Sequence, residues 1–201
     1  MAKIGIGSKS LVATDLKHGS AVRIVDSRDA GRVVPDADAL LTKSAGVFLS
    51  ITVADCLPVF LYDPVNNCVG LIHAGWRGLA KNIIPKTIQK MRSEFKSGPE
   101  NVLVRIGPGI GVCHFEVKKD LLEKFKNLPA GASVKKHGKH FLNLKKIARR
   151  QLETAGLKKN NIETSGDCTY DLRSKYFSYR RDKPEFIETM MAVIGIKKPQ
   201  R

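Results

Sequence analysis

Between Val47 and His73 the chain is almost continuously apolar, in three runs separated by very short interruptions. Phe48 to Val53 and Pro58 to Tyr62 flank the step Ala54-Asp55-Cys56, and Cys68 to His73 follows a turn at Asp63-Pro64-Val65-Asn66-Asn67. A strand that faces water on one side alternates polar and apolar residues, whereas these runs read as strands covered on both faces. Such a centre requires layers packed above and below one sheet. Val22 to Val25, Ala39 to Leu41, Val102 to Ile106 and Met190 to Ile196 are read as further strands. Ala80, Ile84, Ile88, Met91 and Phe95 form a helical stripe ended by Ser97-Gly98-Pro99, with Pro85 marking either a kink or the start. Two more helices are predicted over Lys118–Asn127 and Leu144–Ala155, the latter stopped by Gly156. Many strands with few helices between them indicate an α+β fold rather than regular βαβ alternation. With 201 residues, 42% hydrophobic and without a linker, residues 1–201 read as a single domain with a sizeable core.

The charge is the most conspicuous compositional feature, +16 from 35 basic and 19 acidic residues. It is spread in short runs such as Lys135-Lys136, Lys145-Lys146, Arg149-Arg150 and Arg180-Arg181, mostly in the second half. Such a surface either keeps the protein soluble or attracts polyanions and phosphorylated small molecules. Nucleic-acid binding is compatible with it but unsupported, because no aromatic residues interleave the basic ones. No apolar run reaches the roughly 18 residues of a membrane span. The longest, Val47 to Tyr62, is broken by Asp55 and Pro58, so no membrane partner is expected. The first residues, MAKIGIGSKS, carry no sustained apolar region of the secretory kind, and a cytoplasmic location is expected. Cys56, Cys68, Cys113 and Cys168 are scattered with no C-x-x-C pair, so each is by default a free, small, buried residue.

Histidine is scarce: His18, His73, His114, His137 and His140. His137 and His140 lie in a Lys- and Gly-rich stretch, KKHGKH, read as an exposed loop. His73 and Cys56 stand at the ends of apolar strands, and His18 precedes Gly19 at the edge of another. Side chains at strand ends can converge on one pocket from a rigid sheet. Two imidazoles and a thiolate make a competent zinc set that leaves a fourth position open, the catalytic arrangement. The same residues are also compatible with structural histidines beside a buried thiol, or with a Cys–His nucleophilic pair.

The segments ADCLPVFLYDP, VGLIHAGWRGL, IGPGIGVCHFEV and GDCTY with YFSYRRD resemble one family, and the preceding DADALLT fits it too. This is the laccase-domain family, variously called polyphenol oxidase, purine nucleoside phosphorylase or peptidoglycan editing factor. The resemblance runs from about residue 16 to 194, with ADCLP and HAGWRG placing Cys56 and His73 17 residues apart. It implies a layered α/β/β/α sandwich with mixed sheets and a site of two His and one Cys. Carried to this chain, the metal ligands and catalytic residues are His18, Cys56 and His73. It further implies a zinc-dependent enzyme that splits adenosine, inosine and methylthioadenosine with phosphate, releasing base and ribose 1-phosphate, with some members deaminating adenosine. Copper-dependent phenol oxidation is an older description within the family, and peptidoglycan-precursor editing a separate one. Multicopper oxidases need more than the five histidines present, and the H-x-E with P-C-x-x-C pattern of cytidine-type deaminases is absent.

Phosphorolysis requires a held phosphate, and Arg77, four residues after His73, is the substrate-binding candidate, against a role in capping or pairing. Gly75 and Gly78 are read as allowing a sharp backbone turn, and Gly107-Pro108-Gly109 as able to bring N–H groups to an anion. Trp76 is read as core in preference to a purine-stacking surface. Three departures from the family stand out. Members carry a segment before the first His, and here only 17 residues precede His18, so the resemblance implies an N-terminally shortened domain. The usual Gln-Val-His-Gly reads Leu16-Lys17-His18-Gly19, and no Thr-Gly-Arg follows the Arg pair, where Phe186 to Met191 reads FIETMM. Two alternatives therefore stay open: a Cys-dependent hydrolase acting on peptidoglycan precursors, and a catalytically impaired basic binding domain.

Overall fold

The structure is a computed structural model, and it describes residues 6–125, 127–183, 185 and 188–198. Its strands are β1 (Leu11–Thr14), β2 (Val22–Ile24), β3 (Val33–Val34), β4 (Ala39–Thr42), β5 (Phe48–Val53), β6 (Leu57–Asp63) and β7 (Cys68–Ala74). After helices α1 (Trp76–Ala80) and α2 (Ile83–Phe95) come β8 (Leu103–Ile106), β9 (Glu116–Val117), α3 (Lys119–Leu122), β10 (Ser133–Lys136) and β11 (Lys139–Leu142). The chain continues through α4 (Leu144–Thr154), β12 (Ile162–Thr164), α5 (Tyr179–Asp182) and β13 (Met190–Gly195). A six-stranded sheet, ordered β12-β8-β6-β7-β4-β2, packs beside a four-stranded one, ordered β13-β5-β1-β3. Both sheets are mixed: β6, β7 and β8 pair antiparallel while β2–β4 and β1–β5 pair parallel.

Adjacent residues of the central strands feed opposite cores. Leu41, Leu61 and Ile72 pack toward Ile84, Ile88 and Met91 of α2 and Ile147 and Leu152 of α4. Their neighbours Leu40, Val69 and Leu71 pack toward Leu49, Ile51, Val12 and Ala192 of the four-stranded sheet. With apolar contact on both faces, the pleat has no solvent side and alternation disappears, as the sequence implies. The layered α+β fold with mixed sheets is therefore the one that forms.

Pro85 is the third residue of α2, in the first turn, where its missing N–H has no intrahelical partner to lose. It marks the start of the helix and not a kink. In α4, Asn143 accepts from the Lys146 N–H at 3.0 Å, and Leu144, Ile147, Ala148 and Leu152 bury one stripe. The predicted 118–127 helix shrinks to the single turn of α3, with Lys126 outside the described residues. The KKHGKH stretch is a β-hairpin rather than a loop: Lys136 pairs with Lys139 across His137 and Gly138, whose φ values are 49° and 74°. Two consecutive positive φ values make the tight turn whose twist suits a two-residue hairpin. Of the FIETMM segment, Phe186 and Ile187 lie outside the described residues. No helix among the described residues is long and apolar enough to cross a membrane.

The β6–β7 hairpin depends on Asp63, which is fully buried. Its carboxylate accepts from the Val65 N–H at 2.8 Å, the Asn66 N–H at 3.2 Å and amide at 2.8 Å, and the Ser97 hydroxyl at 2.5 Å. Burial opposes the charge, but the bonds from Ser97, Asn66 and Val65 outweigh it and hold the carboxyl below its usual range. Asp63→Ala leaves the buried Ser97 hydroxyl without its acceptor and releases the half-buried Asn66 and the exposed Val65 N–H to water, and is expected to destabilise the fold by about 1–3 kcal/mol in urea titration.

Candidate functional site

His18, Cys56 and His73 come from three separate segments and meet. One ligand atom from each lies within 4.8 Å of the others. The two imidazole rings are perpendicular, with centroids 4.8 Å apart. His73 is buried in β7, half-buried Cys56 sits in the bend between β5 and β6, and exposed His18 lies between β1 and β2. His18 and Asp55 adopt φ of 54° and 84°, in the left-handed region that L-residues rarely occupy. At Asp55 the restraints are visible. Its carboxylate accepts from the Thr169 hydroxyl at 2.6 Å and the Arg180 N–H at 2.7 Å, and its carbonyl accepts from the Ile110 N–H at 2.9 Å.

Asp38, also buried, organises the other side. One of its oxygens accepts from the Gly19 N–H at 2.8 Å, beside His18. The other lies 3.9 Å from His73 Nδ1, and neither that oxygen nor Nδ1 has a hydrogen-bond partner among the described residues. Nδ1 thus faces, beyond hydrogen-bond reach, a carboxylate of the kind that accepts from the outer nitrogen of a ligating imidazole. Burial, with His18 adding to it, lowers the His73 pKa to about 3, so the ring stays neutral with a lone pair to offer. Burial first, then Asp55, pushes the Cys56 thiol up to about 12.

The His73 shift has a measurable sign. An unfolded histidine takes a proton near pH ~6.5, and this one in the fold does so only near 3. As pH falls through that window the unfolded chain binds the extra proton. His73 stabilises the fold fully above the window and withdraws up to about 1.4 kcal/mol per pH unit within it. Denaturant titrations of metal-free protein at near-neutral and mildly acidic pH check this, since His73→Gln is expected to flatten that part of the slope.

These residues line a cavity of about 580 Å³ together with Trp76, Arg77, Ile110, Phe115, Tyr179 and Arg180. The size suits a small organic ligand. Arg77 is exposed and stacks over the Trp76 ring at 4.5 Å, with no ion pair among the described residues. Trp76 is half-buried: it packs on the core and also lines the cavity, so it serves both readings. Arg180, which no sequence motif marks as a site residue, supplies a second guanidinium over Phe115 at 5.2 Å, bonded to the Glu116 carbonyl at 2.9 Å. Its position depends on the bond to Asp55, which no local pattern reveals.

Three expectations need correction. Gly75 and Gly78 do not turn the chain, since neither has a positive φ. They make room: a Cβ on Gly75 would lie 2.8 Å from Cys56 Sγ, and one on Gly78 2.9 Å from the Gly19 carbonyl. Gly107-Pro108-Gly109 is not free for an anion, because the Gly107 N–H donates to the Pro58 carbonyl at 2.8 Å and Gly109 packs on Leu57. Cys113 also departs from the default of a buried thiol, being exposed, and it lies with His114, Cys168 and Asp171 in a second cluster within 4.8 Å.

The profile of the family described as "Multi-copper polyphenol oxidoreductase laccase" matches residues 1–197. The chain belongs to this family. It is similar to "Purine nucleoside phosphorylase YlmD" of Bacillus subtilis, 32% identical over 94% of this chain and 72% of that one. It is also similar to "Purine nucleoside phosphorylase" of Bacteroides thetaiotaomicron, 34% identical over 81% of this chain and 62% of that one. The crystal structure of YlmD from Geobacillus stearothermophilus superposes with a TM-score of 0.93 at 31% identity, covering 98% of this chain and 77% of that one. The chain thus spans between 62% and 72% of the length of these two curated relatives.

Proposed function

We propose that this member of the laccase-domain family is a cytoplasmic, zinc-dependent purine nucleoside phosphorylase acting on adenosine, inosine and methylthioadenosine, with adenosine deamination as a side activity. The observation that carries the reading is the convergence of two imidazoles and a thiol in a cavity walled by two guanidiniums and three aromatic rings. The names of the relatives point to the same reaction class. The four free thiols suit a reducing compartment.

His18, Cys56 and His73 are the proposed metal ligands, and the donor set fits. Nitrogen and sulfur suit zinc, neutral His73 has its Nδ1 turned to Asp38, and Gly75 leaves space beside the sulfur. Copper, which the family's description names, would bind the same donors, but no methionine for a blue-copper axial position lines the cavity among the described residues. When bound, zinc supplies a positive charge that polarises the group held against it.

The protein's own groups account for the rest. Arg77, which lines the cavity and has no ion pair among the described residues, is the proposed phosphate clamp, with Arg180, also in the lining, as a second cation. Trp76, Phe115 and Tyr179 supply aromatic surface for a purine. A phosphate oxygen bonds to the anomeric carbon while the carbon–base bond breaks; the base departs with the electron pair and takes up the proton that the hydrogen phosphate loses. Guanidiniums held in place before the reaction stabilise that charge movement without reorganising. We take residues 1–201 to act as one unit in this.

The hydrolase reading fits less well, because a Cys56 thiol pushed up to about 12 is protonated near neutrality and is a poor free nucleophile. The test is release of hypoxanthine from inosine with and without phosphate, alongside elemental analysis. The expected result is phosphate-dependent release. Release that ignores phosphate and survives chelation but not thiol alkylation would favour the hydrolase.

A further inference from the structure

The second cluster lies outside the cavity just described. Cys113 and His114 come from the loop after β8, and Cys168 and Asp171 from the segment after β12. Cys113 Sγ is 3.8 Å from Cys168 Sγ and 3.5 Å from Asp171 Oδ2. His114 Nδ1 is 3.9 Å from Cys168 Sγ and 3.2 Å from Asp171 Oδ1. Zinc bonds of ~2.3 Å to sulfur and ~2.0–2.2 Å to nitrogen or oxygen give a tetrahedron with edges of about 3.8 Å for S–S, 3.6 Å for S–O and S–N, and 3.4 Å for N–O. The separations observed, to Asp171 Oδ2 from Cys113 and to Asp171 Oδ1 from His114 among them, each lie within a few tenths of an ångström of such an edge, and the four ligand groups all lie within 4.8 Å of one another. A disulfide needs ~2.05 Å between sulfurs, and all four cysteines are free.

We infer that Cys113, His114, Cys168 and Asp171 form a second metal site, a closed four-ligand zinc site with a structural role. Two thiols lose their protons to solvent as the ion binds, Asp171 contributes its carboxylate and His114 its neutral Nδ1. The formal charge is +2 − 2 − 1 = −1. Lys145, which lines the same open basin and donates to the Asp167 carbonyl, balances it. The His114 ring is already fixed in plane by stacking on Tyr170, with centroids 4.0 Å apart and the planes 11° from parallel. The Gly111 N–H donates to Cys168 Sγ at 3.1 Å, the type of bond that supports a thiolate ligand.

The role follows from what the two loops carry. Ile110 and Phe115 flank the first loop's ligands and line the substrate cavity, and Thr169 follows Cys168 and bonds to Asp55. An ion tying Cys113 to Cys168 would hold both cavity walls in register. The inference needs only the four ligands and is independent of the reaction proposed above.

Zinc content and cobalt spectra of the full chain test it. Wild-type protein dialysed against zinc is expected to hold two ions, and Cys56→Ser with His73→Ala to hold one. On that background, Cys113→Ser with Asp171→Asn is expected to remove the remaining ion. Both residues are exposed and their substitution leaves the core untouched, which circular dichroism checks. Cobalt(II) in the Cys56/His73 variant should give the intense visible bands of a tetrahedral site and thiolate charge transfer, lost with Cys113→Ser. Failure of the first site alone leaves one ion that responds only to the second set of substitutions. The inference is overturned if the Cys56/His73 variant binds no zinc, if its cobalt spectrum lacks thiolate bands, or if Cys113 and Cys168 are recovered as a disulfide from zinc-replete protein.

Discussion

Cys56→Ala, prepared with zinc in excess, is expected to release hypoxanthine from inosine at least about 100-fold more slowly than wild type. Loss of an outer partner of a metal ligand already costs about 10–100-fold in affinity or activity, and Cys56 is proposed as one of three direct ligands. The fold should survive. Cys56 sits in the bend between β5 and β6 and its thiol makes no hydrogen bond among the described residues, so the sheet registers on either side are unaffected. Activity and zinc content must fall together. A variant that retained its zinc but lost turnover would make the thiol a reacting group rather than a ligand. One within threefold of wild type would remove Cys56 from the site altogether. Arg77→Ala is the companion: it is expected to raise the KM for phosphate while leaving zinc content largely unchanged, because its guanidinium stacks on Trp76 and makes no hydrogen bond to any of the three ligands among the described residues.

What could be read in advance follows from how local each determinant is. β5, β6 and β7 were legible because burial on both faces removes alternation, which three short runs display plainly. α4 was legible because its cap and apolar stripe lie within one stretch of chain. The β10–β11 hairpin is hidden in the sequence because its residues are mostly exposed and lysine-rich, which leaves no period; its one local signal is the His137-Gly138 pair. Cys56 and His73 were legible as strand ends, but their approach to His18 is a property of strand order and of the glycines between the segments. Arg180 enters the cavity through a bond to Asp55, 125 positions away, and Cys113 meets Cys168 across 55. Contacts of that span have no signature in spacing.

Gly75→Ala tests the packing reading of the glycines against the turning one. Gly75 has φ −81° and ψ 171°, a conformation alanine adopts without strain, so the backbone has no reason to object. The added methyl has nowhere to go: it would sit 2.8 Å from Cys56 Sγ and 3.7 Å from His73 Cε1. The sulfur or the chain carrying it must yield by several tenths of an ångström, about the tolerance within which a functional site works. Zinc affinity is therefore expected to fall about 10–100-fold. Phosphorolysis should drop at limiting zinc and recover in part when zinc is raised, while the unfolding midpoint in chelator stays near that of wild type. Gly138→Ala is the contrasting case, because nothing lies within 4 Å of its Cβ but its φ is +74°. It is expected to cost stability through the hairpin turn and leave zinc binding alone. Wild-type zinc affinity and turnover in Gly75→Ala would mean that Cys56 Sγ has freedom to move, and that the close approach of Gly75 does not shape the site.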